Sequence, residues 1–191
     1  MTHKLITAPS VEPIDATTLK LWCRIDGTDD DTLVSLLIPA ARQACEAATG
    51  RALITQTWEA VLDAWPCGSA IELQRAPVLA ITSVKYIDPD GVEQTMDSAD
   101  YSLDSDSEPG WLLPAYGTDW PTALDTANAI RVRYTAGYGA AATDVPQALR
   151  MWIALTAAAA YKDREGTSDK PLSRNPALEG LLDPYRIMVI R

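Results

Sequence analysis

At Arg51 the hydrophobic period of this chain changes, and that change limits what it can fold into. Before it, Leu33, Leu36, Leu37, Ala40, Ala41, Ala44 and Ala48 recur at helical spacing. After it, Thr55, Thr57, Glu59 and Val61 alternate with Gln56, Trp58, Ala60 and Leu62, the pattern of a strand. Helical spacing returns at Val145. Helices at both ends with a mostly antiparallel, β-rich middle between them place the chain in the α+β class.

Capping and turn residues set the boundaries. Asp15 is the expected N-cap of a first helix, and Gly27 its stop. A second helix opens at Asp29-Asp30-Asp31 and ends at Thr49-Gly50, with Pro39 predicting a kink one turn earlier. Extended runs follow at Ala70–Leu73, Ala80–Ile87, Val92–Met96, Tyr101–Leu103, Trp111–Leu113 and Ala129–Tyr134, with a turn at Asp88-Pro89-Asp90-Gly91. Val145-Pro146 opens a third helix, capped near Thr143 or Asp144 and reaching Arg164 or Gly166. Asn175-Pro176 opens a short last one, closed by Asp183-Pro184. The expected organisation is one domain over residues 1–191: helices at 15–50 and 144–184, the β-rich insertion at 51–136, and an extended apolar tail at 185–191.

Chemistry is constrained mainly by what is scarce. His3 is the single histidine and is expected at a mobile terminus, so no Ser-His-Asp or Cys-His arrangement can be built. Cys23, Cys45 and Cys67 form no CxxC pair and fall short of a zinc ligand set; they read as buried or half-buried thiols of a reducing compartment. The stretch Ala136-Gly137-Tyr138-Gly139-Ala140 lacks the lysine of a P-loop and the third glycine of a dinucleotide fingerprint; it reads as a strand exit into a capped helix. Asp26–Asp31 departs from a calcium loop at Thr28, Asp31 and Leu37, and its carboxylates suit a helix N-terminus. Asp104–Gly110 reads as a solvated loop. Neither a catalytic residue, a cofactor nor a metal is expected.

The formal net charge of −10 disfavours gripping nucleic acid, whose affinity comes from Lys and Arg. Arg131 and Arg133 share one face of a strand, with Lys85 a candidate neighbour, and are thin material for a DNA patch. The longest near-apolar run, Met151–Tyr161, is shorter than the ~20 residues of a membrane helix, and the start lacks a signal-peptide core, so a soluble intracellular protein is expected. The third helix is apolar nearly all round. Such a helix is either buried in its own domain or covered by neighbouring subunits; a small domain rarely encloses a helix fully, which favours the second, with Leu149, Trp152, Ile153, Ala157, Ala160 and Tyr161 as interface candidates.

Five segments then fall in a familiar order: "EPIDATTLKLWCRID", "DDDTLVSLLIPAARQACEAATGRALITQTWE", "LQRAPVLAITSVKYIDPDG", "RVRYTAGYG" and "VPQALRMWIALTAAAAYKDRE". From about Val11 to Arg186 the chain resembles the head–tail connector family, the adaptors beneath the portal of long-tailed phages and prophages. The resemblance implies a helical bundle body formed by the N- and C-terminal helices with the mostly antiparallel β-rich segment as its insertion. It also implies a non-enzymatic virion protein made in the host cytoplasm, a ring of about twelve copies with cyclic symmetry, and a channel extended for DNA. The implied partners are copies of itself, the portal protein, a tail-completion or stopper protein, and genomic DNA passing without sequence-specific binding, with no membrane. Tyr185, Ile187, Met188, Val189 and Ile190 could add a strand to a portal sheet edge or return to the chain's own sheet. The alternative function is a DNA-packaging accessory that contacts DNA directly.

Overall fold

The computed structural model describes residues 1–67, 70–163 and 176–187. They are α+β and form two compact units: Met1–Pro9 with Thr55–Gly137, and Ser10–Ile54 with Tyr138–Arg191.

The first unit is built of strands. A five-stranded sheet contains β1 (Thr2–Thr7), β2 (Gln56–Leu62), β4 (Val78–Ile87), β5 (Glu93–Thr95) and β8 (Ile130–Ala136), ordered β1-β2-β8-β4-β5. A three-stranded sheet is ordered β3-β7-β6, from β3 (Ile71–Leu73), β6 (Tyr101–Asp104) and β7 (Gly110–Pro114). Every ladder is antiparallel, as the alternation predicts. On β8, Ile130, Val132, Tyr134 and Ala136 are buried while Arg131, Arg133 and Thr135 take the other face. The two sheets meet where Val78 of β4 crowds Gly110 of β7, and where the Tyr134 hydroxyl donates to the Gln74 carbonyl at 2.7 Å. The β4–β5 turn is tied by the Asp88 carboxylate, which accepts from the Asp90 and Val92 amides at 3.0 and 2.9 Å. Trp65 stacks on Trp120 at 4.5 Å between centroids and donates to the Pro121 carbonyl, pinning the loop between β7 and β8.

The expectation of a mobile N-terminus is wrong. Residues 2–7 are strand β1, paired with β2, and the alternation there is too weak to read because β1 is an edge strand with mostly exposed side chains. His3 is half-buried, 3.1 Å from the Tyr134 hydroxyl. Since that hydroxyl donates to Gln74, His3 Nδ1–H is the donor to it, and Nε2 is buried without a hydrogen-bond partner among the described residues. Burial first, then the Arg75 charge, lowers the His3 pKa from 6.5 to about 4.

The second unit is built of α1 (Ala16–Cys23), α2 (Asp31–Thr49), α3 (Gln147–Lys162) and the short α4 (Pro176–Glu179). Asp15 caps α1 as expected, accepting from the Thr18 amide at 2.7 Å. The helix stops earlier than expected, at Cys23, because Arg24 takes the left-handed conformation that Gly27 was expected to supply. Gly50 ends α2 with φ of 75°. Asp144 does not cap α3; its carboxylate turns back to the Ala141 amide at 2.9 Å, and Pro146 stands at the helix start. The expected α3 ends at Arg164 and Gly166 lie outside the described residues.

The residues at helical spacing on α2 do not all face the core. Leu36, Ala40, Ala44 and Ala48, which keep helical spacing, are exposed; the buried face is Val34, Ile38, Ala41, Arg42, Cys45, Glu46 and Thr49. Periodicity finds a helix but does not choose between two apolar faces. The two buried charges form a network: Arg42 Nε donates to Glu12 Oε2 at 2.8 Å and its NH1 to Glu46 Oε2 at 2.7 Å. Glu46 Oε1 accepts from the Leu53 amide at 3.0 Å.

Two outcomes follow. Arg42→Met strands two carboxylates and should cost about 3–5 kcal/mol in denaturant unfolding, with part recovered in Arg42→Met/Glu46→Gln. The folded chain resists protonating His3, so its contribution to stability falls as pH drops from 6.5 towards 4. His3→Gln should therefore flatten the urea midpoint against pH in that window relative to the native chain.

Candidate functional site

The residues singled out in the sequence fall into three surfaces. On α3, Leu149, Ile153 and Ala157 are fully buried and Trp152 is 7% exposed, all within the core of their own unit together with Leu19, Val34, Ile38 and Leu182. The short α1, α2 and the Leu178–Leu182 segment supply the cover that the sequence reading assigned to other subunits. Ala160 is exposed. Tyr161 is half-buried, and its hydroxyl donates to Asp30 Oδ2 at 2.5 Å.

The C-terminal segment folds onto its own unit as far as Ile187. The Tyr185 carbonyl accepts from Arg51 Nε at 2.6 Å, and the Ile187 amide donates to the Thr49 carbonyl at 3.0 Å. The Ile187 side chain lies over Gly50, the glycine that ends α2. Met188, Val189 and Ile190 lie outside the described residues.

The third surface is the strand face bearing the cations. Lys85 of β4 stands opposite Arg131 of β8, and Arg133 is two residues further along, so the topology does bring all three together. It brings two carboxylates with them. Arg133 NH2 meets Glu59 Oε1 at 2.9 Å, and Lys85 Nζ meets Glu93 Oε1 at 2.7 Å. These residues and Ser83 line one small hollow. The Lys85 hydrogen bond, then its charge, holds the Glu93 carboxyl below its ordinary range. With Lys85 and Arg133 paired, only Arg131 is left to meet phosphate.

The loops behave as solvated turns. Asp104 Oδ1 accepts from the Asp106 and Ser107 amides at 3.1 Å each, and its Oδ2 from the Ser107 hydroxyl. The Ser107 bonds hold the Asp104 carboxyl below its ordinary range. Among the described residues no group of three or more His, Cys, Asp or Glu side chains is placed to hold a metal ion. The glycine-rich stretch is a strand exit: β8 ends at Ala136, and the Gly137 amide returns to the Pro77 carbonyl at 2.9 Å. A Cβ on Gly139 would collide with the Asp144 carboxylate, which explains that glycine without a ligand. Cys45 is buried, its thiol pushed up to about 12 by burial and the neighbouring Glu46 charge. Cys23 is half-buried; Cys67 is exposed, contrary to expectation. Among the described residues no helix is long and apolar enough to cross a membrane.

Sequence reasoning missed the exposed apolar side chains of the helical unit. Leu21 is 76%, Trp22 45%, Leu36 65% and Met151 41% exposed. No sequence signal separates them from core residues, because they keep the same helical spacing.

With this geometry described, the chain can be compared with known proteins. Residues 14–104 match the family of the phage gp6-like head-tail connector protein, so the resemblance to head–tail connectors holds. The whole chain is similar in fold to a protein of the neck of an empty gene transfer agent (GTA) particle computed with C6 symmetry: TM-score 0.83, 25% identity, 100% of this chain and 98% of that one covered. It is likewise similar to a protein of the native GTA virion, with TM-score 0.81, 26% identity and the same coverage. A third similar protein comes from the native GTA neck computed with C12 symmetry, with TM-score 0.74, 27% identity and again 100% and 98% coverage. No curated protein matches the chain.

With Lys85 and Arg133 paired and, of these three cations, only Arg131 without an ion pair among the described residues, the purified chain is expected not to be retained on duplex DNA at physiological salt. Electrophoretic mobility at graded salt checks this, and salt-sensitive retention lost in Arg131→Ala/Arg133→Ala would reverse it.

Proposed function

We propose that this chain is the adaptor ring of a phage-type neck: copies assemble with cyclic symmetry beneath the portal, extend the DNA channel and present a platform to a tail-completion or stopper protein. The observation that carries this reading is fold similarity over 100% of the chain to a protein of a particle neck. Necks computed with C6 and C12 symmetry suit a closed ring, in which each subunit joins the next by two different surfaces. In this reading the helical unit is the body of a single connector domain and the strand unit is its insertion. The role is structural rather than catalytic, and its place is the head–tail interface of the virion.

The surplus of carboxylates gives the ring its relation to DNA. A lining without matched cations repels the phosphate backbone, so the genome slides past instead of sticking. The DNA-packaging alternative is disfavoured by the Glu59 and Glu93 partners of its cations. Of the interface candidates on α3, Ala160 and Tyr161 remain accessible to a neighbour, while Leu149, Trp152, Ile153 and Ala157 serve by holding the helix in place. For the portal, we retain the end of the chain, Tyr185 and Ile187 anchoring Met188, Val189 and Ile190.

Mixing the purified chain with the portal ring of its own particle should give a stacked double ring in electron micrographs. A variant lacking residues 188–191 should form it at least about tenfold less readily if the tail docks as an added strand. Wild-type attachment by that variant would end the docking assignment, and absence of any complex with the full chain would end the adaptor reading.

A further inference from the structure

Helix α2 is inside out in its charges. Between Thr32 and Thr49 its only charged side chains are Arg42 and Glu46, and they are 5% and 6% exposed. The exposed side chains over the same stretch are uncharged, and from the second turn onward they are Leu36, Ala40, Gln43, Ala44, Ala47 and Ala48. A solvated helix face ordinarily carries the charges and hides the alanines. From Thr32 to Ala48 the face runs about 24 Å, and its small side chains would let another helix approach to roughly 8 Å.

The same unit carries the converse shape. Leu21 and Trp22, at the end of α1, project 76% and 45% exposed. We propose that this face of α2 receives Leu21 and Trp22 of a second copy of the chain, and that this is the contact between successive subunits. The inference rests on the ring reading above and adds the residues that close it.

Two arguments select a copy of this chain as the occupant. The first is charge. Two chains of formal charge −10 repel wherever carboxylates meet, so they can join closely only through a face that carries none. A basic partner or DNA would call for the opposite, an acidic or basic face. The second is shape. A shallow alanine seam laid on an identical seam buries little, whereas a tryptophan and a leucine set into it bury the large side chains that anchor interfaces. Seam and projection are different surfaces, so the contact is head-to-tail and repeats around a ring.

The test is Ala44→Glu in the full chain, paired with Trp22→Lys in the same background. Glutamate is a good helix former at an exposed position, so the thermal melt should not move. Self-association by sedimentation velocity, measured to about millimolar chain, should weaken at least about thirtyfold in Ala44→Glu, the effect of an unpaired buried interfacial charge. It should recover at least in part in Ala44→Glu/Trp22→Lys, where the new carboxylate meets an ammonium. If the native chain associates and Ala44→Glu associates equally well, this contact is wrong while the ring reading stands. A native chain that stays monomeric throughout that range overturns this contact as the source of self-association, while the ring reading is decided by the mixture with the portal.

Discussion

The ion pair between Arg42 and Glu46 is the contact on which the helical unit depends. Two buried charges one turn apart would be a liability if either were left alone. Here the guanidinium spans Glu12 and Glu46, and the second oxygen of Glu46 takes up the Leu53 amide. The network thus binds the segment before α1, the body of α2 and the segment that leaves α2 towards the strands. The end of α2 continues the same work: Thr49 receives the Ile187 amide, and Arg51 holds the Tyr185 carbonyl. Three stretches far apart in sequence are fixed to one helix by polar groups, so their geometry is tighter than apolar packing alone would make it.

Burying the charges frees the outer face of the helix from them. Glu and Arg are good helix formers and normally sit where solvent can reach them. With Arg42 and Glu46 turned inward, the opposite face can be alanine and leucine without costing the unit its helical propensity. That is an expensive arrangement for a solitary protein, since it places desolvated ions in the core and apolar atoms in water. It is economical for a subunit whose outer face is covered after assembly.

Much of the strand unit was legible because antiparallel strands with one wet face announce themselves by alternation. Seven of the eight strands fall on expected runs, and Asp88-Pro89-Asp90-Gly91 makes its turn through the very side chain that defines such turns. The missed strand, β1, is an edge strand whose side chains are mostly exposed, so it shows no alternation; its place is set by pairing with β2, more than fifty residues away. The helices were found, but their facing was not. Leu36 and Leu37 are chemically identical, and only tertiary packing makes one exposed and the other half-buried. The same blindness favoured subunit contacts over the chain's own core for Leu149, Ile153 and Ala157, which α1 and α2 already enclose.

The cation cluster shows why a correct prediction of proximity can still mislead about function. The period of β8 put Arg131 and Arg133 on one face, and the register with β4 delivered Lys85 beside them. What sequence distance hid is that Glu59 lies directly opposite Arg133 on β2, and that the short β5 folds Glu93 back over Lys85. Both carboxylates arrive from neighbouring strands and pair two of the three cations, so the face keeps a single surplus positive charge, too little to hold a polyanion at physiological salt. The acidic surplus of the chain is therefore not offset by a basic surface elsewhere on this sheet. In the proposed ring, a chain of this charge would let DNA pass without holding it, so the order of the assembly would have to come from contacts between protein subunits and not from the genome.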